Sequence, residues 1–293
     1  MPVTYTPLRY PGGKTAIYPM VSNIIQHNLL KGCKYAEPYA GGGGLALSLL
    51  FKGIAKEIHL NDLDRSIWAF WDSILNRTAE FIDKLERTSV TIDEWYLQRE
   101  IQNNKNSADI LDLGFSSFFL NRTNRSGIIL KAGVIGGLQQ KGNYKIDCRF
   151  NKNNLKEKIL KIKQYRDKIK LYNQDAVDFI RDIDEEPEGD FFIYIDPPYF
   201  EKGSSLYANF YDDNDHACLC DFISSIKTSW ILTYDDAEKI KKLYEKNKIY
   251  KYYLNYSVAR KRLGAELLIC SDNINIPQNY VQEEIVKKFK TPL

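Results

Sequence analysis

No apolar run in this chain approaches the roughly 18 residues that a membrane-crossing helix needs, so a bilayer-embedded protein is not expected. Met1 to Pro7 hold no charged stretch followed by an apolar one, which argues against a secretory signal and for a cytoplasmic protein. The five cysteines (Cys33, Cys148, Cys218, Cys220 and Cys270) are odd in number and scattered, a pattern that builds no disulfide framework. The nearest approach to a metal set is His216 with Cys218 and Cys220. Its C-x-C step is shorter than the usual zinc spacing and no second ligand pair accompanies it, so no metal is expected. Internal repeats are also missing. What remains is an ordinary globular composition, 44% hydrophobic and 27% charged, in 293 residues that suit one large domain or two smaller ones.

The net charge of +3 hides an uneven distribution. Asn121 to Lys170 hold 14 Lys and Arg against 3 Asp and Glu, while the other residues hold 27 basic and 35 acidic groups. A concentrated positive segment on an otherwise acidic chain is the footprint of a polyanion partner. For Lys152 to Lys170 a solvated helical face explains the lysines equally well, because Leu155, Ile159, Leu160 and Ile162 recur there at helical spacing. Lys239 to Arg262, with 9 basic residues and 1 acidic, is a candidate for a second edge of the same kind.

Along the chain, a helix is expected from Ile17 to Leu29 and a strand from Lys34 to Glu37. The four glycines Gly41 to Gly44, a buried helix from Leu45 to Phe51 and a strand from Glu57 to Leu60 come next, the order of a parallel α/β unit. Asp64 to Leu120 is dominated by helical periodicity, with Trp68, Phe70, Trp71, Ile74, Phe81, Leu85, Trp95, Leu111 and Phe118 as expected core. Gly127 to Gly142 reads as a β-hairpin or a mobile loop. Strands return at 169–172, 191–195 and 230–233, with helices after Asp175 and from Asp236 to Tyr244. Ile249 to Leu254 and Glu266 to Cys270 read as a closing antiparallel pair.

Two motifs carry chemistry. Gly41, Gly43 and Ala46 match G-x-G-x-x-A, and Asp62 lies 19 residues beyond Gly43 at the end of the next strand. Bare backbone lets a ligand approach, and the acid accepts hydrogen bonds from ribose hydroxyls, a logic that serves any adenosine-containing cofactor. Gly13-Lys14-Thr15 imitates the end of a P-loop, but its first glycine would fall on Leu8, so a nucleotide triphosphatase is excluded. The second motif is Asp196-Pro197-Pro198-Tyr199, directly after the apolar run Phe191 to Ile195. Prolines at a strand end stop the ladder and stiffen the exit. A carboxylate and a ring on either side of such a turn can hold a flat, amino-bearing ring between them. The plainer alternative is a strand that ends in a proline-rich turn.

Taken in order, Leu8 to Lys14, Glu37 to Gly43, Leu60-Asn61-Asp62, Phe119-Leu120-Asn121-Arg122 and Asp196 to Tyr199 resemble the Dam-like, class-α DNA adenine methyltransferases over nearly the whole chain. The resemblance implies a Rossmann-like α/β methyltransferase fold: a mixed sheet flanked by helices, with an inserted, mainly helical target-recognition domain carrying a β-hairpin. The expected division is 1–66 with 167–293 for the catalytic domain and 67–166 for the insert. It implies S-adenosylmethionine at Tyr10, Lys14, Asp62 and Asp196, with Glu37, Gly41 and Gly43 in the glycine motif. It implies Asp196, the Pro197 carbonyl and Tyr199 as the catalytic set on a flipped-out adenine, and double-stranded DNA as the partner. Candidates for DNA contact are Arg122, Arg125, Lys131, Lys141, Lys145 and Arg149, and Tyr256 to Arg262 is a candidate loop over the bound base. Three other readings remain: an amino-methyltransferase for cytosine in DNA or adenine in RNA, an NAD-dependent oxidoreductase, and a non-catalytic DNA-binding protein of the same shape. The recognised DNA sequence is not legible. A restriction endonuclease partner, a regulatory role and a phage-borne role all stay open, and a monomer is expected because each half of a palindrome can be modified separately.

Overall fold

The computed structural model describes residues 4–9, 14–187, 189–200, 211–256, 262–277 and 283–284. The chain forms two compact units: residues 1–15, 40–48 and 58–175 make one, residues 16–39, 49–57 and 176–293 the other. No helix among the described residues is long and apolar enough to cross a membrane.

One mixed sheet has the strand order β3-β2-β1-β4-β5-β7-β6-β8. Its strands are β1 (Cys33–Glu37), β2 (Ala55–Asn61), β3 (Ile169–Tyr172), β4 (Phe191–Ile195), β5 (Ser229–Asp235), β6 (Lys248–Tyr256), β7 (Arg262–Cys270) and the two-residue β8 (Glu283–Glu284). β1, β4 and β5 run parallel, as do β2 and β3, whereas β7 is antiparallel to both β5 and β6. From β1 the strand order leads outward through β2 and β3 to one side and through β4 and β5 to the other. Open α/β sheets bind their ligands outside the carboxyl ends of the strands at such a reversal, here the ends of β1 and β4. All five residues of β4 are buried, as expected of a strand covered on both faces.

The helices of the α/β part are α1 (Tyr18–His27), α2 (Gly44–Phe51), α8 (Ala176–Asp184), α9 (Asp213–Ile223) and α10 (Glu238–Leu243). A proline in its first turn suits the start of α1. α9 was not legible in the sequence; it is opened by a capping box between Asp212 and Asp215.

The unit that contains the insert is built on α3 (Arg65–Asn76), α4 (Thr78–Arg87), α5 (Ile92–Asn103), α6 (Ile110–Thr123) and α7 (Lys152–Lys163). Asp64 and Asp109 cap α3 and α6 by accepting backbone N–H bonds. Phe70, Phe81, Phe115 and Phe118 form its aromatic core, with Phe70 and Phe118 stacked at 6.0 Å. Gly114 marks the closest approach of α6 to α3: a Cβ there would stand 2.4 Å from the Ala69 carbonyl oxygen. Trp68, expected in the core, is half-buried. On α7, Leu155, Ile159 and Ile162 are buried, whereas Leu160 is 40% exposed on the outer face. The expected hairpin is reduced to a single antiparallel bridge between Asn124 and Val134, and the remainder of that segment is turns.

Candidate active site

The glycine turn is fixed from below. Asp62, just past the end of β2, takes the Gly41 N–H on one carboxylate oxygen and the Asp64 N–H on the other, each at 2.9 Å. Gly41 and Gly43 adopt φ of +46° and +56°, the left-handed region that favours glycine. A Cβ on Gly43 would lie 2.7 Å from the Trp71 ring, and the Trp71 indole N–H donates to the Gly41 carbonyl at 3.0 Å. Trp71 is fully buried, as its place in the core implies, but its indole also props the turn. Thr15 of the N-terminal motif packs against the same turn, since a Cβ on Gly44 would come within 2.5 Å of its hydroxyl. Lys14, beside it, is buried, and Tyr10 lies outside the described residues. Burial raises the Asp62 carboxyl to about 7, with the neighbouring Asp64 charge adding to the rise and the two N–H bonds opposing it.

In the other unit, Glu37 ends β1 and Asp196 follows β4, its neighbour in the sheet. Glu37 is buried and accepts the Tyr35 hydroxyl at 2.9 Å. Asp196 is half-buried, and the Thr233 hydroxyl donates to it at 2.9 Å. Thr233, itself buried on β5, shares a 2.7 Å hydrogen bond with the Tyr194 hydroxyl. A line of hydroxyls in the sheet thus ends on one oxygen of the Asp196 carboxylate. Pro197 is buried. Tyr199 is 9% exposed and donates its hydroxyl to Glu266 at 2.6 Å. Sequence reading missed Thr233 and Glu266. For Glu266 the signal was a single acid opening the apolar run Leu267-Leu268-Ile269.

The candidate DNA contacts divide. Arg125, Lys131, Lys141, Lys145 and Arg149 are exposed. Arg122 instead holds the Arg149 carbonyl oxygen through two of its nitrogens, and burial with the nearby Arg9 and Arg149 charges lowers it to about 10. On α7, Lys152 caps the Glu86 and Thr88 carbonyls, Lys156 pairs with Glu86 and Lys158 reaches the Thr6 carbonyl. Lys239, Lys241 and Lys251 are paired with Asp213 or Asp236. The candidate loop lies largely outside the described residues: 257–261 are not described.

Comparison with known proteins adds three findings. The sequence model of the D12 class N6 adenine-specific DNA methyltransferases matches residues 10–258. The type II methyltransferase M.MjaIII of Methanocaldococcus jannaschii is 28% identical over 227 residues, which is 71% of this chain and 74% of the relative. The crystal structure of HI0767 from Haemophilus influenzae, named a methylase, covers 87% of this chain and 99% of its own at 11% identity with a TM-score of 0.29.

Proposed function

The chain belongs to the D12 class N6 adenine-specific DNA methyltransferases, and on that premise we propose that Asp196, Pro197 and Tyr199 receive a flipped-out adenine while the glycine turn and Asp62 hold S-adenosylmethionine. Its reaction is methylation of the amino group of adenine in DNA. The observation that carries the assignment of residues is Asp196, set at the end of a buried strand and oriented by Thr233.

The cofactor assignment fits the chain. The turn at Gly43 is bare backbone that a side chain would block. A carboxylate offers about four lone-pair sites, and Asp62 spends two of them on backbone N–H groups, which leaves acceptors for two ribose hydroxyls. Tyr10, Lys14, Glu37 and Asp196 complete the set proposed from the motif order. When bound, S-adenosylmethionine supplies an electrophilic methyl group carried on a sulfonium.

The remaining chemistry belongs to the protein's own groups. The target amino group is inaccessible inside the duplex, so the adenine leaves the stack at a cost of a few kcal/mol. Stacking on an aromatic ring returns about 1–3 kcal/mol per base, and Tyr199 is the ring proposed for it. With 9% of Tyr199 exposed, its face must be uncovered as the base arrives. The Asp196 carboxylate and the Pro197 carbonyl then accept the two amino hydrogens. Those bonds draw the nitrogen lone pair out of conjugation with the ring and set its direction. Fixed acceptors and a fixed approach supply most of the rate gain.

We place double-stranded DNA along the exposed cations of 125–149, with the chain acting as a monomer. A restriction-modification setting with a cognate endonuclease follows the type II name of the archaeal relative. The decisive measurement is methyl transfer by Asp196→Ala. Activity should fall by about 100- to 1,000-fold, as when a preorganised polar group is removed from a reacting centre, while folding and most DNA affinity persist. Full activity in that variant would refute the assignment. Mapping modified bases in DNA from cells that make the protein fixes base and sequence context together.

A further inference from the structure

Glu266 is 1% exposed, yet it is an acid in the middle of a sheet. Burying a carboxylate is costly unless its oxygens are hydrogen-bonded. Here each oxygen takes a phenol: Oε1 accepts the Tyr199 hydroxyl at 2.6 Å, and Oε2 accepts the Tyr252 hydroxyl. Tyr252 lies directly opposite Glu266 in the β6–β7 pairing, and Asp235 lies opposite it on β5. The carboxylate is therefore locked into the sheet by its own strand and by a cross-strand partner. Tyr199 is anchored at its other end by the rigid proline turn. A tyrosine ring held only at its backbone can still turn about its side-chain bonds. A hydroxyl bonded to a fixed carboxylate removes that freedom.

We propose that Glu266 is a positioning residue for the acceptor base: it sets the plane of the Tyr199 ring, with Tyr252 holding the carboxylate in register. This rests on the reading of Asp196 to Tyr199 as the adenine site. Glu266 touches no reacting atom in this account; it acts through Tyr199.

Three variants test it, with tritiated S-adenosylmethionine and unmethylated plasmid DNA as substrates. Tyr199→Phe keeps the ring and removes the hydroxyl. Glu266→Gln keeps the size, but its amide is neutral with a single acceptor oxygen, so the Tyr199 hydroxyl loses its charged acceptor whichever way the amide is turned. Each should lower kcat about tenfold, in line with the loss of one hydrogen bond to a charged group. Cofactor Kd measured by calorimetry should not move in either. The double variant should be no slower than the slower single variant, because both changes cut the same link. Tyr199→Phe at the wild-type kcat, or losses that multiply in the double variant, would overturn the proposal. Because Tyr199→Phe leaves the buried acid in place, misfolding of Glu266→Gln does not rescue the idea. A wild-type protein that transfers no label to DNA adenine would instead sink the parent assignment, so the two failures are distinguishable.

Discussion

Asp62 holds a carboxyl group raised to about 7, and ribose hydroxyls donate more strongly to its ionised form than to its acid. Cofactor binding should therefore release a proton below neutrality. The sign follows from linkage: below about 7 the acid must be deprotonated before it can accept both hydroxyls, so affinity should fall with falling pH, approaching tenfold per unit. Titration calorimetry from pH 5.5 to 8.5 checks this, and Asp62→Asn should bind weakly with a flat profile. The same shift acts on the free protein in the opposite sense to a salt-bridged acid. Between about 4 and 7 the folded chain keeps a proton that the unfolded chain has lost, so this group's contribution to stability declines as pH rises through that window. Trp71 makes a second residue-level prediction. Trp71→Phe preserves most of the packing but leaves the Gly41 carbonyl without its 3.0 Å donor. Cofactor affinity should drop by about five- to tenfold, the equivalent of one net hydrogen bond.

Between elements, Asn121 on α6 ties the N-terminal segment to the loop that follows the helix. Its side chain accepts the Arg9 N–H at 2.7 Å and donates to the Arg9 carbonyl at 2.7 Å and to the Gly127 carbonyl at 2.8 Å. Gly127 sits so close that a Cβ would stand 2.2 Å from the Arg9 carbonyl oxygen. Asn121→Ala leaves buried backbone groups unpaired, at a cost of about 2–4 kcal/mol, or about 3–7 °C in Tm for a chain of this size. Limited proteolysis within 125–149 should accelerate in the same variant; an unchanged cleavage rate would show that the loop does not depend on this tie. The contrast with what the sequence disclosed is physical. β3 and β4 were legible to the residue because their signal is local: β4 is a short, wholly apolar and aromatic run, and β3 alternates Ile and Leu with Lys170 and Tyr172. The glycine turn was legible as a turn because the left-handed φ at Gly41 and Gly43 and the close approach of Trp71 to Gly43 demand glycine. Asn121 was visible as part of a motif, but not its bonds to Arg9, 112 residues away. Thr233 and Glu266 were invisible as partners of the second motif for the same reason: they reach Asp196 and Tyr199 across 37 and 67 residues of chain. The lysines of α7 looked like one charge cluster, and only folding separates those that cap carbonyls from those left at the surface.

For the whole molecule, charge count and usable charge differ. Fourteen cations between Asn121 and Lys170, each meeting a phosphate, would give a slope of log K against log salt of about −12 to −13, at about −0.9 per contact on duplex DNA. The structure withdraws many of them from that role. Arg122 clamps a carbonyl, and Lys152, Lys156 and Lys158 serve Glu86, Thr88 and Thr6. The exposed candidates of the loop are Arg125, Lys131, Lys141, Lys145 and Arg149, of which Lys145 already donates to the Gln140 carbonyl at 2.6 Å. The other four contacts predict a slope of about −3 to −4. Measuring DNA affinity by fluorescence anisotropy from 50 to 200 mM salt distinguishes the two values easily. Lys141→Ala should flatten the slope by about 1 and weaken binding to every sequence alike, because a lysine on phosphate positions the duplex without reading it. Lys156→Ala should leave the slope unchanged, because its ammonium is already spent on Glu86. A slope near −12, or an equal loss in both variants, would mean that α7 meets the duplex together with the loop.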